Sequence, residues 1–146
     1  MEVRDMRLVC WAPGDETLFR PRADMAIDMA INRWTWTAPP PGYCWTLKRG
    51  FDVKGIVGLA RDGDMKDGIR WNAWAFLGQM TAREIASALV LAREAMAHAR
   101  RWNRMDRITA QARLDVPGAR KTLERLGFTA KERLALSPYV LMEKVF

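Results

Sequence analysis

Apolar and polar positions follow two rhythms along this chain, a period of two and a period near 3.6, and the switches between them mark out its elements. Val3 to Ala12 is rich in apolar residues until Pro13-Gly14 stops it, which predicts a first strand. Pro21 to Ile31 places Ala, Met and Ile at helical spacing with Asp24 and Asp28 on the polar side, and predicts a short helix. Asn32 to Tyr43 has no usable period, and its three consecutive prolines enforce an extended loop. Cys44 to Lys48 and Val53 to Ala60 read as strands joined by a turn around Gly50, the second rich enough in Val, Ile and Leu to be buried on both faces. Arg61 to Gly68 reads as a charged turn, followed by a strand from Arg70 to Leu77 that carries Trp71, Trp74 and Phe76.

The helical period returns at Thr81 and persists to about Trp102, the longest helix of the chain. Thr81 and Glu84 have the spacing of a capping box, and Ile85, Leu89, Ala92 and Met96 mark the expected buried face. Asp106 to Leu114 alternates, with Ile108, Ala110, Ala112 and Leu114 expected inward and Arg107, Thr109, Gln111 and Arg113 outward. A helix over Asp115 to Phe128 and a last strand over Tyr139 to Phe146 complete the series. Neither an internal repeat nor a linker interrupts it, so residues 1–146 are expected to form a single domain.

Composition narrows the function classes only a little. No apolar run approaches the roughly 20 residues that span a bilayer, and the N-terminus lacks a signal-peptide layout, which points to a cytoplasmic protein. Cys10 and Cys44 are too few for a disulfide framework and lack metal-ligand spacing. Asp62, Asp64 and Asp67 sit close together, but the ligand order and closing Glu of a calcium loop are missing, so no metal is expected. The net charge of +7 favours an anionic partner: a phosphorylated cofactor, nucleic acid or an acidic protein surface. Seven tryptophans imply a large aromatic core or an aromatic contact surface.

The most informative stretch is Asp115 to Phe128, DVPGARKTLERLGF. Asp115 can accept from the free N–H groups of a first helical turn, and Pro117 suits that turn because its missing donor is harmless there. Ala119, Leu123 and Leu126 form an apolar stripe, while Gly127 suits a left-handed C-terminus with Phe128 folded back on the last turn. This stretch resembles the last helix of the GNAT (Gcn5-related) N-acetyltransferases, which commonly reads D-N-P-x-A-x-x-L-Y-E-R-L-G-F. The resemblance implies an α/β fold with a mixed central sheet, whose fourth and fifth strands run parallel and splay apart around acyl-CoA between flanking helices. It covers Tyr43 to Phe146 well and is nearest in style to small acetyltransferase-like proteins of tailed phages, some of them virion components.

In that family the Asn and Tyr of the motif touch coenzyme A and serve the leaving thiolate; here Val116 and Leu123 stand in their places. The family's Q/R-x-x-G-x-G/A phosphate loop corresponds to Phe76-Leu77-Gly78-Gln79-Met80-Thr81-Ala82-Arg83-Glu84, which has one glycine and is short. If a cofactor site survives, the resemblance places it at Phe76, Gly78, Gln79, Ala82 and Arg83, with acetyl-CoA as ligand. No acid lies on Arg70 to Leu77 to act as a base, and His98 falls beside Glu94 and Arg101 on the polar face of the long helix, so no catalytic residue is assigned. Arg93, Arg100, Arg101, Arg104 and Arg107 could meet nucleic-acid phosphates or simply offset a helix dipole.

The resulting expectation is a GNAT-fold protein with a degenerate acyl-CoA site, acting as an interaction or structural module, phage- or virion-associated. Its partner would be another protein, engaged through the loop holding Trp34 and Trp36; equally, that loop could be a lid folded over the sheet to fill the missing CoA groove. The alternative is an active acetyl-CoA-dependent N-acetyltransferase that relies on water and a lowered amine pKa.

Overall fold

The computed structural model describes residues 1–18, 41–66, 68–114, 116, 118–133 and 138–146. The helix expected over Pro21 to Ile31 and the Trp34–Trp36 loop lie outside the described residues, as do Asp115 and Pro117.

Among the described residues, eight strands form one sheet in the order β1-β2-β3-β4-β5-β6-β8-β7. The strands are β1 (Glu2–Val3), β2 (Met6–Cys10), β3 (Gly42–Arg49), β4 (Asp52–Met65), β5 (Gly68–Leu77), β6 (Arg107–Arg113), β7 (Thr129–Arg133) and β8 (Tyr139–Val145). Helix α1 (Ala82–Trp102) joins β5 to β6, and helix α2 (Ala119–Arg125) follows β6. All neighbouring pairs are antiparallel except β5 and β6, which are parallel, as expected when a helix carries the chain from one strand to the next.

The sheet differs from the sequence expectation in several places. The stretch Val3 to Ala12 is not one strand: Arg4 and Asp5 both take positive φ, 47° and 68°, and fold it into a two-residue hairpin. The charged stretch Arg61 to Gly68 is not a plain turn either. There β4 and β5 stay paired through Asp64 and Ile69, with a bulge between Arg61 and Asp64, and Asp62 pairs with Arg70 at 2.9 Å. Strand β7 was not anticipated; it adds to the edge of β8 through pairs such as Thr129 with Glu143. The turn around Gly50 is as expected, with Gly50 at φ 59° and Phe51 fully exposed at the tip.

The core lies between one face of the sheet and α1. Met6, Leu8, Trp45, Leu47, Leu59, Trp71, Ile108, Ala110, Ala112, Val140 and Met142 meet Leu91, Ala95, Met96 and Ala99 of the helix. The helix is therefore rotated slightly from the expected face, with Ile85 and Ala92 only partly buried. On β6 the inward set holds for Ile108, Ala110 and Ala112, but Leu114 is 43% exposed and Thr109 only 6%. Leu114 lies just past the end of the strand, and the Thr109 hydroxyl donates weakly to the Trp71 carbonyl at 3.5 Å.

Helix α2 ends as its sequence predicts. Gly127 takes φ 91°, its N–H bonds Glu124 O at 2.9 Å, and the Phe128 N–H bonds Leu123 O at 3.0 Å. This pair of bonds is the Schellman closure, and Phe128 drops into the core behind it at 2% exposure. The start of α2 is shorter than expected: it begins at Ala119 behind a left-handed Gly118, with no side-chain cap.

Candidate functional site

The N-terminus of α1 collects charge from three elements. Between β3 and β4 the register runs from Leu47↔Gly55 to Lys48↔Val53, so Lys54 is the extra residue of a bulge. Bulges re-aim side chains, and this one serves two contacts. The Lys54 carbonyl accepts the Gly78 N–H at 2.7 Å, and its ammonium approaches the Glu84 carboxylate at 3.5 Å. Arg49, at the end of β3, reaches the same Glu84 oxygen at 3.5 Å.

Thr81 caps α1 as expected. Its hydroxyl accepts the Glu84 N–H at 3.2 Å, and Glu84 Oε1 accepts the Thr81 N–H at 3.0 Å. Glu84 is 5% exposed, so this carboxylate is buried where the helix dipole is positive. The Thr81 N–H, then Lys54, hold its carboxyl below the usual range despite burial.

The sequence-predicted cofactor residues lie at and just before this end of α1. Gly78 is buried, and its N–H is committed to Lys54. Gln79, Ala82 and Arg83 are exposed. Phe76 is half-buried with its ring 5.8 Å from that of Trp74. Arg49, Lys54 and the inward role of Glu84 were not foreseen. Only strand register brings Arg49 and Lys54 here, and no local pattern announces it.

Parallel pairing of β5 with β6 stops after Arg70↔Arg107, Trp71↔Ile108 and Asn72↔Thr109. Beyond that point β5 continues through Ala73-Trp74-Ala75-Phe76-Leu77 and β6 through Ala110-Gln111-Ala112-Arg113, without mutual pairing. These stretches contain no carboxylate, imidazole or thiol. Leu123 and Ala119 of α2 pack against the main core cluster, with Leu126 beside them. Val116 is half-buried, and its carbonyl accepts the Ala119 N–H at 3.3 Å.

Other titratable groups lie elsewhere. His98 is exposed and sits edge-on to Tyr43, whose hydroxyl accepts from Asn103 at 2.6 Å. Burial, then Asp15 and Glu16, push the Cys44 thiol up to about 11, which keeps it protonated. Asp15 is buried; desolvation opposes its charge, but bonds from Thr46 and Ala12 hold its carboxyl below the usual range. The arginine cluster divides. Arg104 pairs with Asp106 at 3.2 Å and Arg107 with Glu143 at 3.0 Å, while Arg93 donates to Arg125 O at 2.7 Å and Arg100 lies 3.7 Å over the Phe146 ring. Most of these arginines are therefore already engaged within the fold.

Parallel strands that part after three pairs, with a long helix crossing between them, define the GNAT acetyltransferase fold, and this chain has it. No family model matches the sequence, and no curated protein matches it. Among solved structures it is similar to Ard1 from Thermoplasma volcanium, with a TM-score of 0.66 at 14% identity over 97% of each chain. It is also similar to the GNAT domain of S. lividans PAT, with a TM-score of 0.66 at 16% identity over 97% of this chain and 89% of that one. A third likeness is to an aminoglycoside N(6')acetyltransferase from Legionella pneumophila, with a TM-score of 0.61 at 7% identity over 99% and 94%. Among the described residues, no helix is long and apolar enough to cross a membrane.

Proposed function

We propose that this chain is a GNAT-fold module whose acyl-CoA site is reduced and which acts through interaction rather than catalysis. Leu123 carries this reading. At the position where the resemblance expects a tyrosine hydroxyl, its side chain is half-buried and packs with the main core cluster. The diverging ends of β5 and β6 support it, since their residues include no group able to take a proton from an amine.

An acyl-CoA pyrophosphate does not fit the α1 N-terminus as it stands. The Thr81 and Glu84 N–H groups are taken by the capping box, the Gly78 N–H by Lys54, and a buried carboxylate holds the positive end of the helix. The role that remains is that of a binding or structural part. A protein partner at the Trp34–Trp36 loop belongs to the same proposal on the contact propensity of its large aromatics, and a virion setting on the sequence resemblance alone.

Leu123→Tyr tests the packing. A ring and hydroxyl forced into a filled region should cost about 1–3 kcal/mol in denaturant melts. A change below about 0.5 kcal/mol, typical of open surface, would mean that the groove accepts the hydroxyl. That result would favour the rival reading, an acetyl-CoA-dependent N-acetyltransferase like several of the structural neighbours.

A further inference from the structure

Elsewhere on the surface, cations are paired with carboxylates: Arg70 with Asp62, Arg104 with Asp106, Arg120 with Glu124, and Arg107 and Lys131 with Glu143. Three cations break that pattern where α1, α2 and β8 meet. Arg93 and Arg100 stand two turns apart on one face of α1, and Lys144 approaches from β8. Arg93 donates to Arg125 O at 2.7 Å and Lys144 to Leu126 O at 2.8 Å, neighbouring carbonyls at the end of α2. Arg100 lies 3.7 Å over the Phe146 ring, and Lys144 Nζ is 5.4 Å from the same ring centre. None of the three forms an ion pair with a carboxylate among the described residues.

Their contacts account for hydrogen bonding and packing but not for charge. A backbone carbonyl and an aromatic ring are neutral, so each cation keeps its full charge beside the other two. The end of α2 does not require three of them, because Gly127 and Phe128 already close it through the backbone. Crowding has a cost: burial, then Arg93 and Arg100, pull the Lys144 ammonium below its ordinary range. Arg93 and Arg100 are exposed and Phe146 is 39% exposed, so the cluster faces solvent. An anion arriving there would relieve the repulsion, and each guanidinium can take a carboxylate through two parallel bonds. Two carboxylates border the patch. Asp106, whose carbonyl accepts the Phe146 N–H at 3.1 Å, is bonded to Ile69 and Arg104, with Arg100 a more distant influence on its charge. Glu124, next to Arg125, is held by Arg120. These borders leave a patch too short for a track of nucleic-acid phosphates and matched to a few carboxylates beside an aromatic ring.

We propose that Arg93, Arg100 and Lys144, with the Phe146 ring, form a docking surface for an acidic segment of a partner protein. It gives the interaction reading a partner of stated chemistry, on the C-terminal half of α1 rather than the end where the resemblance places acyl-CoA. The surface does not depend on the state of that site. Micromolar acetyl-CoA binding would sink the reduced-site reading and leave this surface in place.

Calorimetric titration with an acetylated, amidated hexaglutamate peptide at fixed ionic strength tests it, beside an oligothymidylate of equal charge. The proteins to compare are wild type, Arg93→Gln with Arg100→Gln, and Arg4→Gln with Lys66→Gln. Both double variants lose two positive charges, the second pair from exposed positions on the β1–β2 and β4–β5 turns. Lys144 and its bond to Leu126 O stay in place throughout. Arg93→Gln with Arg100→Gln should weaken hexaglutamate binding about tenfold, roughly 1.4 kcal/mol, and the control pair should leave it nearly unchanged. Absence of binding to wild type would overturn the inference, as would equal weakening by the two double variants, which means diffuse charge only. Oligothymidylate that binds more tightly than hexaglutamate and loses affinity in the same variant would assign the surface to nucleic acid and overturn the acidic segment. If the Arg93 and Arg100 variant does not fold, the wild-type protein gives the answer by NMR. The side-chain Nε–H resonances of Arg93 and Arg100 should shift on hexaglutamate titration while that of Arg4 stays, and arginine signals that all stay fixed or all move alike would overturn the proposal.

Discussion

The two helix ends that matter most are finished in opposite ways. The N-terminus of α1 is closed by side chains: Thr81 and Glu84 satisfy each other's N–H groups, and Arg49 and Lys54 neutralise the carboxylate from neighbouring strands. The C-terminus of α2 is closed by its own backbone through Gly127 and Phe128, with Arg93 donating to Arg125 O and Lys144 to Leu126 O at 2.8 Å. One end is held by charge, and the other by chain geometry and a buried ring. The difference separates a helix end fixed by charge from one fixed by packing. It also means that the two ends should respond to different perturbations.

Phe128→Ala should have the larger effect. The ring is 2% exposed and anchors the Schellman closure, so its loss should cost about 3–5 kcal/mol by denaturant melting. A cost below about 1 kcal/mol would mean that α2 is held mainly by the Arg93 and Lys144 contacts, and the contrast between the two ends would dissolve.

Acid should single out the other end, with a smaller effect. The carboxyl of Glu84 is held below its usual value in the fold, so its contribution is present above the unfolded value and lost as pH falls through the folded one. Amide protection, corrected for the slower intrinsic exchange in acid, should therefore fall at Thr81 and Glu84 before it does at Gly127 and Phe128. Glu84→Gln should abolish that early step. Asp15 has the same sign and should contribute a parallel loss near Thr46, which the glutamine variant leaves in place. Simultaneous loss at both helix ends would contradict the assignment of charge to one and packing to the other.

What could be read from sequence follows the range of the interactions. Capping of α1 by Thr81 and Glu84, and the end of α2 at Gly127 and Phe128, involve residues within a turn or so of each other, and both stand as written in the chain. Parallel pairing of β5 and β6 was legible because a long amphipathic helix between strands leaves few alternatives. Strand β7 was not, since Thr129 to Lys131 is exposed and shows no apolar alternation. The break at Arg4 and Asp5 was hidden by apolar neighbours. The charge pair on Glu84 was the least legible feature. It depends on a one-residue bulge that turns Lys54 toward a helix far downstream, and sequence pattern does not report register at that resolution.

The central claim is that the acyl-CoA site is reduced, and titrating acetyl-CoA into the wild-type protein by calorimetry tests it most directly. The account predicts a dissociation constant weaker than about 0.1 mM, corresponding to less than about 5.5 kcal/mol of binding free energy. A micromolar dissociation constant would contradict it.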